Sequence, residues 1–236
     1  MPRRATLFFL LTASLGAAAC DEVSTAETAR ELQCGPTLDF TPVNAYQGEL
    51  AAARDREDAV VLINGNCSGT LIAARAGPVV LTAGHCVALG DRALVVFNFE
   101  DQPDGDPLIT EGTVIEQASA PDYALLLLDA LPALSPTALT THASDRLAIV
   151  QHPRGRPKVV AEGSFVSATE GVVRYADLDT LIGSSGAGVL TREGRLLAVH
   201  SEGDCTEDGQ GANTGWSAAS IVGASAYLQS DDIDGC

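Results

Sequence analysis

The chain has 236 residues, 46% of them apolar, enough to bury one substantial core in a single domain of two sub-barrels. Its 31 acidic side chains outnumber 14 basic ones, for a formal net charge of −17. That charge repels phosphate backbones and anionic membrane surfaces, so no nucleic-acid partner is expected and the acidity is read as solubility outside the cell.

At the N-terminus, two arginines precede the apolar run ATLFFLLTASLGAAA, which ends in small residues. Residues 1–19 therefore read as a secretory signal peptide rather than a membrane span. LGAAAC resembles a bacterial lipoprotein cleavage box, in which Cys20 would be lipidated and form a membrane tether. Ala17 stands where leucine is usual, and AAA would equally serve ordinary signal peptidase, so both readings stay open. Residues 20–45 are polar and without sustained period, a tether or a segment laid across the domain that follows at 46–236.

Short runs rich in Val, Ile, Leu and Thr then alternate with Gly, Pro, Asn and Asp clusters. Ala59–Ile63, Ser68–Ile72, Val79–Thr82, Ala93–Phe99, Leu108–Glu116 and Tyr123–Leu128 predict about six strands, one antiparallel barrel over about 46–130. DALPALSPTALTTHAS, with two prolines and no amphipathic period, suits the connection between barrels. A second series over about 142–228 follows, at Leu147–Gln151, Val159–Val166, Gly171–Tyr175, Gly188–Thr191, Leu196–His200 and Thr214–Ala218. SAASIVGASAYL, Ser217–Leu228, has apolar residues at three- and four-residue spacing and predicts a short C-terminal helix. The fold class expected is all-β, two six-stranded antiparallel barrels.

The run DTLIGSSGAGVL places Ser185 between glycines. Such a turn can lift a hydroxyl out of a sheet and aim the amides of Gly183 and Ser185 at one point, forming an oxyanion hole. A serine hydroxyl needs a histidine to take its proton and a buried carboxylate to orient that histidine. His85 in VVLTAGHCV and Asp122 in APDYALLLLD supply both types, Asp122 at the mouth of an apolar strand where an acid is costly unless paired. Asp129, at the other end of that strand, is a control of the same residue type.

The order His, Asp, Ser, the blocks LTAGHC, DYALLLL and GSSGAG, and the cysteines Cys67 and Cys86 together resemble the chymotrypsin-fold serine peptidases, over roughly Tyr46 to Leu228. QHPRGRPK, Gln151 to Lys158, looks like the short bacterial secreted branch that includes glutamyl and lysyl endopeptidases. The resemblance implies an exported serine endopeptidase acting on protein or peptide substrates as a monomer, without cofactor or metal. His85, Asp122 and Ser185 would be the triad, and Cys67 and Cys86 a disulfide closing a loop worth about 3 kcal/mol in the chain-entropy model. The alternative is a catalytically silent relative kept as a binding module.

Ser184 stands where the animal digestive enzymes carry an aspartate, so ion-pair activation by a new N-terminus is not expected. Specificity divides two ways. Asp179 lies six residues before Ser185, where trypsin-like enzymes present a carboxylate to Arg or Lys, or it braces the turn. Thr180 and His200 fall where glutamyl endopeptidases bind a carboxylate side chain, His200 being otherwise a strand residue, whereas Glu202 adds acid to the pocket wall and favours a basic substrate side chain. Pairing among Cys34, Cys205 and Cys236 stays open. The loop EDQPDGD, Glu100 to Asp106, reads as a solvated turn, with calcium binding the other possibility. His142 and His152 read as loop and turn residues without metal-ligand spacing.

Overall fold

The computed structural model describes residues 33–74, 77–131 and 133–234. The expected signal peptide, the lipidation of Cys20, the first part of the 20–45 segment and the pairing of Cys236 lie outside the described residues.

The described chain enters through β1 (Thr41–Pro42) and the short helix α1 (Ala51–Arg54). The first barrel follows: β2 (Val60–Ile63), β3 (Cys67–Ile72), β4 (Val79–Thr82), β5 (Arg92–Phe97), β6 (Leu108–Ser119) and β7 (Asp122–Leu128), closed in the order β2-β3-β4-β7-β6-β5. Its strands coincide with the apolar runs because their side chains are wanted inside. In β5 the pattern is strictly two-sided, with Ala93, Val95 and Phe97 buried and Arg92 and Leu94 outside.

The second barrel comprises β8 (Leu139–Thr140), β9 (Arg146–Gln151), β10 (Val159–Thr169), β11 (Val172–Ala176), β12 (Gly188–Thr191), β13 (Leu196–Glu202), β14 (Asn213–Ser217) and β15 (Ile233–Asp234). Six of these, β9-β10-β11-β14-β13-β12, close on themselves because β12 pairs with both β13 and β9. The remaining short strands attach outside that ring, with β1 on β10 and β8 beside β13 and β15. The all-β, two-barrel expectation therefore holds.

Three apolar clusters make the core. One fills the first barrel around Val61, Val95, Phe97 and Leu126, and one the second around Ile149, Val173, Tyr175 and Val189. The third spans the seam, joining Leu81, Tyr123 and Leu125 to Val150, Val160, Leu190 and Val199. Burial of each such Val, Leu or Ile contributes about 1.5–3 kcal/mol, so the seam is held as firmly as the barrels it joins.

Three expectations change. The C-terminal helix, α2 (Ala218–Ala224), is shorter than Ser217–Leu228. Ser217 caps its start, and Ser225 ends it by turning to Glu116 on β6, whose other oxygen takes the Ala226 amide at 2.7 Å. The connection between barrels is not wholly irregular, since it contains β8. Glu100 is not part of a solvated turn: it is buried and ion-paired at 2.7 Å to the fully buried Lys158, as is Glu57.

Two disulfides are formed, Cys67–Cys86 as the resemblance implies and Cys34–Cys205, which was open. The second ties the N-terminal segment, from 171 residues away, to the loop after β13. Among the described residues no helix is long and apolar enough to cross a membrane.

Candidate active site

Strand register brings His85 and Asp122 together. Thr82, the last residue of β4, pairs with Ala124 of β7, so the residues that follow β4 lie opposite those that begin β7. A single 3-10 turn, Gly84–Cys86, then presents His85. Asp122 binds it twice: Oδ1 accepts from the His85 backbone N at 3.0 Å, and Oδ2 bonds Nδ1 at 2.7 Å. Asp129, the control position, sits at the barrel surface and binds Arg92 at 2.9 Å.

The Ser201 hydroxyl also donates to Asp122 Oδ2, at 2.6 Å. Nothing in the sequence marked Ser201. Its side chain reaches Asp122 because the β13–β14 register slips between His200 and Glu202, and an extra residue at a bulge re-aims a side chain.

These contacts set the charges. Burial pushes the Asp122 carboxyl up, but the hydrogen bonds from His85 and Ser201 override it, leaving it below its ordinary value. The hydrogen bond to Asp122 raises the His85 imidazole above its ordinary 6.5, against burial, with further support from the charges of Asp122 and Glu202.

Ser185, half-buried, sits on a loop clamped from the first barrel. The Ser68 amide donates to Ser185 O at 2.9 Å, and Ser68 Oγ donates to Gly183 O at 2.8 Å while accepting from the His152 amide at 2.9 Å. Gly183 and Gly186 have φ of +97° and +84°. A Cβ on Gly186 would lie 2.1 Å from Thr82 Oγ1, and one on Gly183 would lie 2.7 Å from His152 O. Only glycine fits both the backbone conformation and the space. Ser184 is fully buried and braces the loop from within, its Oγ accepting from Leu181 N at 2.9 Å. Among the described residues, neither the Gly183 nor the Ser185 amide donates to another protein group.

His85 and Ser185 line one cleft of about 460 Å³, together with Thr180, Leu181, Ile182, Gly183, His200, Glu202 and Gly203. A second hollow of like volume is bordered by Asp58, Asn98 and Asp104, and it lacks a base paired to a carboxylate. Nearby, Glu57, Asp58 and Asp104 form an acidic group, but Glu57 is already bonded to Lys158.

A model of the trypsin-like peptidase domain matches residues 67–199, more than half of the chain. The chain belongs to this family. Among solved structures, a serine endoprotease from Yersinia pestis is similar at 20% identity and a TM-score of 0.58, over 74% of this chain and 64% of that one. The trypsin-like chain thus spans somewhat under two thirds of that neighbour. The inactive form of the Rv3671c protease is similar at 19% identity and a TM-score of 0.57, over 80% of this chain and 96% of that one. These likenesses concern the fold. No curated protein matches the sequence.

Of the specificity candidates, the structure brings Thr180 and His200 to the cleft but not Asp179. The Asp179 carboxylate is buried and occupied, accepting from the amides of Cys34 at 2.7 Å and Asp39 at 2.5 Å. The carboxylate ties down the N-terminal segment, a role that neither of its two readings anticipated, rather than facing an Arg or Lys side chain. Thr180 is 1% exposed, and among the described residues its hydroxyl has no partner. His200 is buried on the Tyr175 hydroxyl, 2.5 Å from Nδ1, and burial lowers it to about 4, so the imidazole is neutral. His152 lies at a turn, as expected, directly before the 3-10 turn Pro153–Gly155; it is buried there, stacked on Phe99 and likewise lowered to about 4 by burial.

Proposed function

We propose that this trypsin-like chain is an exported serine endopeptidase, akin to the short bacterial secreted branch, with His85, Asp122 and Ser185 as its triad. The observation that carries the reading is the His85–Asp122 pair at 2.7 Å, opening on the cleft that Ser185 lines. With Nδ1 held by Asp122, His85 Nε2 takes the Ser185 proton as Oγ bonds to the peptide carbonyl carbon. The undonated amides of Gly183 and Ser185 receive the negative oxygen. As the C–N bond breaks, the imidazolium returns its proton to the leaving amine, and a water molecule, deprotonated in the same way, hydrolyses the acyl-serine. Asp122 stays ionised throughout and steadies the imidazolium. Export is supported by the two disulfides, which persist in oxidising compartments, and by the leader-like run at 1–19.

The cleft floor favours an acceptor-bearing side chain before the scissile bond, glutamate or glutamine, over Arg or Lys. The unpartnered Thr180 hydroxyl is a donor; the Tyr175 hydroxyl, 2.5 Å from His200 Nδ1 and 3.3 Å from Thr214 O, has one proton, and when it goes to Nδ1 the imidazole proton resides on Nε2 and supplies a second donor. Digestion of a mixed peptide library tests both parts. The reading expects internal cleavage after Glu or Gln, abolished in Ser185→Ala. No cleavage by the mature wild type favours the binding module, and cleavage after Arg or Lys overturns the floor assignment alone.

A further inference from the structure

Glu202 occupies a place in the cleft that neither the triad nor the floor uses. It ends β13 next to Ser201, and it is exposed where Thr180 and His200 are buried. The three residues therefore stand at different depths of one cleft, donors below and a carboxylate at the rim. Among the described residues no cation pairs with Glu202, whereas Glu57, Glu100, Glu111 and Glu162 each have one. An extended peptide presents successive side chains to opposite sides, so the residue that fills the floor is not the one that meets the rim. The unpartnered Thr180 hydroxyl independently marks this cleft as built for a ligand.

We propose that Glu202 is a specificity-determining residue that pairs with a basic side chain of the substrate, at a position flanking the residue whose side chain fills the Thr180–His200 floor. The inference rests on the cleft being the peptide site of the proposed peptidase. The substrate class is then a peptide that joins a Lys or Arg to a nearby Glu or Gln, opposite in pattern to the cleft itself. Glu202 also contributes its field to His85, alongside the Asp122 carboxylate, which places the rim charge within electrostatic reach of the reacting groups. Exposed ion pairs amount to a few tenths to one kcal/mol, so the preference is about two- to fivefold in affinity.

The test measures binding on Ser185→Ala, which does not depend on turnover. Fluorescent peptides carry one floor residue, Glu, and either lysine or uncharged acetyl-lysine at each flanking position in turn; titration gives their dissociation constants. The expected result is one position at which lysine binds about two- to fivefold tighter, an advantage that disappears in Ser185→Ala/Glu202→Gln and fades as salt rises towards about 0.5 M. Glu193→Gln, which removes a charge in the turn between β12 and β13, should leave the advantage in place. Equal binding of lysine and acetyl-lysine peptides everywhere, an advantage that survives Glu202→Gln, or no peptide binding at all would overturn the proposal. Digestion of the same peptides by wild type separates the outcomes: cleavage without a lysine advantage removes only the role of Glu202, whereas absence of cleavage removes the peptidase reading.

Discussion

Lys158 and Glu100 form an ion pair with no exposed side-chain surface, 2.7 Å apart, joining the loop after β5 of the first barrel to the residue before β10 of the second. Lys158 Nζ also bonds Glu57 Oε2 and Glu57 O, each at 2.7 Å, and Asn44 Nδ2 donates to Glu100 at 2.7 Å. One ammonium thus stands between two carboxyls that share the burial cost. Lys158→Met would leave both without their cation, and loss of one partner from a buried pair costs about 3–5 kcal/mol. Denaturant unfolding should show a loss of that order.

The same cluster predicts a pH dependence. Burial, together with the neighbouring Glu100, pushes Glu57 up to about 7 from its ordinary 4.5. Between those values the folded protein holds a proton that the unfolded chain releases, so stability contributed by this group falls as pH rises from about 4.5 to 7. Glu57→Gln cannot lose that proton. Melting curves should therefore show the variant gaining on wild type as pH increases through this window, and parallel curves would contradict the assignment.

Catalysis should have the opposite slope. In the proposed mechanism His85 is a base only when neutral, and the Asp122 hydrogen bond holds it above 6.5, so kcat/KM should rise with pH through a midpoint above that value. Asp122→Asn removes that support and frees the imidazole tautomer, with an expected fall in kcat of about 10⁴-fold in a still-folded protein. Ser201→Ala removes one of the bonds to Asp122; it should lower kcat more than it changes KM, since Ser201 positions the carboxylate and the buried floor is untouched.

Gly186→Ala tests the nucleophile loop. At φ +84°, with Thr82 Oγ1 and Ser68 O closer than any real Cβ contact, the loop must shift and carry Ser185 with it. Activity should drop steeply, while Gly65→Ala, also at positive φ but with open space around it, should leave the loop in place. Comparable activity in both variants would show that the clamp does not hold the serine.

Much of the barrel framework was legible because β2, β4 and most of β7 are buried on both faces and read as near-continuous apolar runs. The contact of His85 with Asp122 was expected from the triad order and the resemblance; the β4–β7 register that makes them neighbours is visible only in the structure. What escaped was set by depth and by partners distant in sequence. Lys158 reads as one more cation in QHPRGRPK until β10 draws it inside, and Glu100 reads as the start of an acidic turn. Asp179 sits where a carboxylate that binds a substrate Arg or Lys would be sought, but amides from Cys34 and Asp39, about 140 residues earlier, claim both oxygens. Ser201 owes its place to a bulge, which leaves no pattern in a single sequence.

The proposed chemistry requires Ser185 to be a nucleophile activated by His85. Intact-mass and peptide-map analysis of the mature protein after treatment with a fluorophosphonate addresses it directly. The expected result is a single adduct on Ser185, formed faster as pH rises and lost in His85→Ala. A folded wild-type protein that stays unmodified, or an adduct on another residue, would contradict it.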